Sequence, residues 1–197
     1  MSKYCTRVIK LDDNIAKAKN KALREMLKSD CNYFFLVEEN CEVLDEAVYD
    51  KFVNVSEETG VEALMWARSD VSRKLPFDDD QYLQYFNDFV SSFSMFTRNV
   101  VETVGFLDEK MPPNTWQELE YAKRIGDAGL SSPFGTFAAP RGVDSYFKIT
   151  KPKDEFKNIK QMEEALLYWE EKDLEDFPVE IGKKKQVMKA QPITEMI

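Results

Sequence analysis

The sequence predicts an α/β fold in which a mostly parallel central sheet is flanked by helices. Three observations predict it. Strand-like and helix-like segments alternate through the first half. Tyr33-Phe34-Phe35-Leu36-Val37 is a short continuous apolar run, which suits a strand buried on both faces under helices. The chain has 197 residues, 43% apolar and 32% charged, enough for a real core.

The elements follow in order. Thr6 to Leu11 reads as a strand, and Asp12-Asp13-Asn14 then offers helix N-cap chemistry. Ile15, Ala18, Ala22, Leu23 and Met26 recur at helical spacing and predict a helix over about 14–28. The strand at Tyr33–Val37 comes next, and Asp45 can cap a second helix through about Val53. Val61 to Ala67 is a further strand, and Leu75 to Asp80 is a loop with Pro76. Tyr82 to Thr97 is apolar and aromatic and predicts a strand pair, with a helix as the alternative for its first half; Arg98 to Val104 predicts a short helix. Pro112-Pro113 makes a rigid turn, and Thr115 starts a helix that stops at Gly129, a suitable residue just past a helix end. A loop rich in Ser, Pro and Gly follows. Residues 154–174 predict an acidic amphipathic helix, with Lys183-Lys184-Lys185 and Lys189 beyond it. Residues 1–150 thus form the main domain, and 151–197 a helix and basic tail that pack on it or extend from it.

The chain has no histidine, which removes Ser-His and Cys-His catalysis and the usual zinc sites. Acid–base work must come from Asp, Glu, Lys, Tyr or Cys. A net charge of −9 argues against non-specific nucleic-acid binding, and no nucleic-acid partner is expected. Cys5, Cys31 and Cys41 match neither a zinc ribbon nor a CxxC redox pair. One disulfide among them is open; the default is reduced thiols in a cytoplasm. No apolar run reaches the roughly 18 residues of a membrane span. No secretion signal is expected from the N-terminal residues.

Two acidic places can carry chemistry. Glu38-Glu39-Asn40 ends the apolar strand. In extended chain Glu38 and Asn40 share a face, at the carboxyl edge where open α/β sheets take ligands. Their oxygens suit Mg²⁺ or Mn²⁺, with Glu42 as an extra ligand; the plainer reading is a polar strand end. Glu118 and Glu120 open the helix after the proline turn. The plain reading makes Thr115-x-x-Glu118 a capping box and Glu120–Arg124 an ion pair one turn apart. The functional reading makes Glu118 a general base, kept ionised by the helix N-terminus while apolar surroundings pull the other way.

In order and spacing these segments resemble the GT-A glycosyltransferases, above all the family-2-type inverting enzymes. The resemblance rests on Asn14-Ile15-Ala16-Lys17-Ala18-Lys19-Asn20, then Tyr33–Val37 with Glu38-Glu39-Asn40, then Gly105-Phe106-Leu107-Asp108-Glu109, Trp116-Gln117-Glu118-Leu119-Glu120, Arg124 and Ala128-Gly129. It covers about residues 6–130. It implies a GT-A fold and a catalytic domain at 1–150. Glu38 and Asn40 match the DxD positions that touch metal and diphosphate. Glu118 matches the expected base, with Glu120 next in line. Lys19 matches the arginine of the helix motif and is implied to touch donor phosphates, the plainer reading being an exposed lysine. DxD is here Glu-Glu-Asn, Glu-Asp is Gln-Glu, and the chain starts near the family's third strand; either the fold is a minimal version, or Asp12, Asp13 and the C-terminal region do the work of nucleotide binding. Length and the compact motif set are also similar to those of a viral member with a crenarchaeal host, which places it in host cytoplasm.

The implied activity is single displacement from a nucleotide-sugar donor to a hydroxyl of a glycan, protein or lipid-linked acceptor, with a divalent cation, Mn²⁺ or Mg²⁺, holding the leaving diphosphate. The alternatives are a non-catalytic nucleotide-sugar or partner-binding protein, and an interaction protein that uses the 154–174 helix. The lysine cluster reads as a solvated tail or as a contact for anionic lipid.

Overall fold

A computed structural model describes residues 14–67, 81–86, 91–111, 117–132 and 138–149. The predicted strand at Thr6–Leu11, the 154–174 helix and the lysine cluster lie outside them. Helix α1 spans Ile15–Leu27. The Asn14 side chain caps it by accepting from the Lys17 N–H at 3.2 Å, and Ala16, Ala18, Asn20 and Leu23 form its buried face. Strand β1 is Tyr33–Val37 and β2 is Cys41–Val43. Helix α2 is Ala47–Thr59. Asp45 accepts from the Ala47 N–H at 2.9 Å to start it, and Gly60 at φ 72° ends it in the left-handed region that favours glycine. Strand β3 is Ala63–Ala67, β4 is Leu83–Tyr85 and β5 is Ser91–Thr97. Strand β5 runs straight into α3, Arg98–Val104, where Thr97 accepts from the Val100 N–H at 3.2 Å. Helix α4 is Gln117–Asp127, β6 is Ala138–Pro140, a 3₁₀ turn covers Asp144–Tyr146 and β7 is Phe147–Ile149.

The central sheet has the order β1-β5-β3, and both outer strands are antiparallel to β5. The expected mostly parallel GT-A-type sheet is therefore not what forms; the other sheets, β2-β7 and β4-β6, are antiparallel too. Nor is β1 buried on both faces, as its apolar run suggests: it is an outer strand of this sheet in which Phe34 is buried and Val37 is exposed, and an apolar run does not encode strand direction. Strand β5 comes later in the chain and lies between β1 and β3, which run the same way without touching as neighbours. The expected strand pair within 82–97 is also resolved differently, because β4 pairs with β6 and β5 with β1 and β3.

Helices do cover both faces. Phe93 of β5 meets Phe52 of α2 at 4.9 Å between ring centroids and Phe147 of β7 at 4.8 Å. On the opposite face Phe96 meets Tyr121 of α4 edge-on at 5.6 Å. All of β5 except Thr97 is buried, as a central strand between two helical layers requires. The α1–α4 face is the one that carries the site.

Candidate functional site

Asn20 locks α1 to the segment before α4. Its Nδ2 donates to the Leu107 carbonyl and to Glu109 Oε1, each at 2.8 Å, and its Oδ1 accepts from the Leu107 N–H at 2.8 Å. Arg24, one turn on, reaches Glu109 at 3.2 Å and lies over the Phe106 ring at 4.7 Å. Gln117 donates to the Met111 carbonyl at 3.1 Å and to Asn14 Oδ1 at 3.4 Å. Helix α1 and the Gly105–Glu109 segment, far apart in sequence, thus form one hydrogen-bonded block.

That block brings Lys19 between two carboxylates. Its Nζ donates to Glu38 Oε1 at 3.0 Å and to Glu118 Oε1. Glu118 Oε2 accepts from the Ser91 backbone N–H at 3.3 Å. The side chains of Lys19, Glu38 and Glu118 are 12%, 24% and 20% exposed, so the cluster is sheltered yet reaches solvent. Lys19 comes from α1, Glu38 from the end of β1 and Glu118 from the start of α4. Behind them lies a cavity of about 10 Å³, the space open to the centre of a water-sized sphere, lined in part by Leu36, Met65, Phe96 and Tyr121. It has room for no more than about one water, so a larger ligand must approach from the solvent side.

The charges are strongly coupled. Burial pushes the Glu118 carboxyl above the usual carboxylate range; the Lys19 ammonium opposes this, and Glu38 adds to it by repulsion. Burial pulls Lys19 down, but Glu118 and then Glu38 more than offset it, and the ammonium stays protonated above its ordinary value. Burial pushes the Cys41 thiol up to about 12, which leaves it an inert core group at neutral pH.

The other sequence-predicted residues lie elsewhere. Glu120 is 3% exposed and bound by Arg124 through two hydrogen bonds, at 2.7 and 2.9 Å; Arg124 also donates to the Val104 and Phe106 carbonyls at 2.7 Å each. The Glu120–Arg124 pair thereby ties α4 to the Val104–Phe106 backbone. Chain alternation stops at Val37: the Cys41 N–H donates to the Glu38 carbonyl at 2.9 Å, so 38–41 is a tight turn with Asn40 buried in it. Glu39 is exposed, and Glu42 bonds Lys148 across β2–β7 at 3.0 Å. Asp12, Asp13 and Thr115 lie outside the described residues. Ser91, which holds Glu118 by its backbone N–H, carries no signal in sequence.

The donor set does not fit a divalent cation as it stands. Glu38 brings one carboxylate, and that carboxylate already carries an ammonium. A dication there meets a fixed positive charge within hydrogen-bond distance. Among the described residues, no group of three or more Asp, Glu, His or Cys is placed to hold a metal ion. Also among them, no helix is long and apolar enough to cross a membrane.

Comparison with known proteins adds no family. No protein-family description matches the chain, and no curated protein matches it significantly.

Proposed function

We propose that the chain transfers a sugar from a nucleotide-sugar donor to an acceptor hydroxyl by single displacement, with Glu118 as the general base. The observation that carries this is the convergence of Lys19, Glu38 and Glu118 from three separate elements, the residues that motif order marks for donor, diphosphate and base. A carboxylate whose pKa is raised by burial is a stronger proton acceptor than a free one. Glu118 takes the acceptor proton as the new C–O bond forms at the anomeric carbon. The bond to the diphosphate breaks on the opposite side, and its electron pair leaves with the phosphate oxygen.

Lys19 has a second task in this reading. An ammonium has three N–H donors; two are on Glu38 and Glu118, which leaves one for a donor oxygen. An anionic donor that draws the ammonium toward itself strips Glu118 of its counter-charge and makes it more basic. The base is then strongest when the donor is in place, which limits idle proton chemistry in the empty site.

Thermal shift with a panel of nucleotide sugars, followed by product analysis with the sugar that shifts, tests the reading. Wild type is expected to respond to one donor class. Glu118→Gln is expected to keep the donor response and lose transfer by about 10²–10⁴-fold, the usual range for a general base. Full turnover in that variant removes Glu118 from the mechanism. Absence of any donor response in wild type removes the nucleotide sugar.

A further inference from the structure

We infer that the Lys19 ammonium is the resident cation of this site, seated between Glu38 and Glu118 where a divalent metal bridging the two carboxylates would sit, so that Lys19 and a metal ion exclude one another. The geometry is the argument. Two carboxylates from β1 and α4 converge on one point, and the Nζ of Lys19 is at that point, 3.0 Å from Glu38 Oε1 and hydrogen-bonded to Glu118 Oε1. Neither acid is otherwise neutralised by a described cation: Glu118 has only the Ser91 N–H beside Lys19. The lysine is itself fixed from behind, since the next residue, Asn20, is bolted to Leu107 by hydrogen bonds at 2.8 Å. Lys19 is thus delivered to the carboxylates by a rigid helix rather than drifting to them as a surface lysine does.

Competition follows from the charges. A dication at Glu38 must expel the ammonium into less favourable surroundings or accept a like charge at contact distance in a poorly solvated place. Removing the ammonium reverses the balance: Glu38 and Glu118 repel one another, and a metal ion relieves both. The site is one substitution away from a metal site and is kept from being one by Lys19.

The inference concerns the cluster named in the proposed function but does not depend on sugar transfer, since metal uptake can be read without any substrate. The probe is Mn²⁺ alone, followed by loss of its free-ion magnetic resonance signal. Wild type is expected to leave the signal unchanged at concentrations where Lys19→Met takes up one ion per chain, at least tenfold more tightly. Lys19→Met with Glu38→Gln is expected to lose that uptake. A folded Lys19→Met that binds no more Mn²⁺ than wild type overturns the inference. Should that variant fail to fold, wild type against Glu38→Gln still decides. Tight Mn²⁺ binding by wild type that Glu38→Gln abolishes overturns the inference; no such Glu38-dependent binding supports it.

Discussion

Asn20→Ala is the substitution whose effect follows most directly from the structure. Asn20 is 1% exposed and Leu107 5%. Truncation removes three hydrogen bonds and leaves the Leu107 N–H and C=O without their side-chain partner. A buried polar group left unsatisfied costs about 1–3 kcal/mol, so two such groups cost about 2–6 kcal/mol, and about 4 kcal/mol is the central expectation. That is a large part of the roughly 5–15 kcal/mol that holds a domain together. At roughly 2–4 °C per kcal/mol for a chain of this size, the melting point should fall by about 8–16 °C. Urea denaturation with an unchanged m-value reads the loss directly. A loss below about 1 kcal/mol would refute the reasoning, because it would mean that water replaces the amide and that α1 is not bolted to Leu107. The same variant should loosen the delivery of Lys19, so donor binding should weaken more than the stability loss alone explains.

In Glu38→Gln the acid limb of the rate profile should move to lower pH: the repulsion that raises Glu118 is gone and Lys19 attends to Glu118 alone, so the base ionises earlier. A pH profile of kcat/KM checks this, and a shift to higher pH contradicts it. Arg124→Met should cost about 3–5 kcal/mol, because it leaves the Glu120 charge buried without its partner, whereas the double variant with Glu120→Gln should recover much of that; denaturation of the set reads it. Glu120→Gln alone should keep turnover within a few-fold, which separates a clamp from a base. Gly60→Ala should destabilise by about 1 kcal/mol, from the positive φ of 72° alone, since no atom lies within 4 Å of the added carbon. A calorimetric scan is sufficient for that one.

Much of the local structure was legible in the sequence. Asn14 as a cap, the spacing of Ala18 and Leu23, the run at Tyr33–Val37 and the stop at Gly129 carry their geometry in a few consecutive residues. So does the Glu120–Arg124 pair, one helical turn apart. Strand direction was not legible, because Val37 and Phe93 are paired across more than fifty residues of chain and nothing in either segment names the other. Strands β6 and β7 were missed for a related reason. Ala138-Ala139-Pro140 and Phe147-Lys148-Ile149 are too short to show a period, and their partners, Leu83–Tyr85 and Cys41–Val43, lie far upstream.

The site divides in the same way. Motif order picked out Lys19, Glu38 and Glu118 as residues, but not their relation. Lys19 could be read as touching donor phosphates or as an exposed lysine; it is the centre of an ion cluster. Glu38 and Asn40 were paired by strand alternation, and a tight turn at 38–41 breaks that premise. The signal at Asn20 was present all along, an asparagine on the buried face of a helix that otherwise uses alanine and leucine there. Such a residue has to find a polar partner, and it finds one in Leu107.

The place of β5 between β1 and β3 also governs the order in which the molecule can be made. A ribosome releases β1 and β3 first, and neither can pair with the other, because the strand that joins them has yet to be synthesised. Until Ser91–Thr97 emerges, the edges that β1 and β3 turn toward it carry unpaired backbone N–H and C=O groups. Chains shortened just before Ser91 should therefore stick together, and that tendency should end only when the chain extends past Ile149, so that α4 and β7 can cover the two faces of β5.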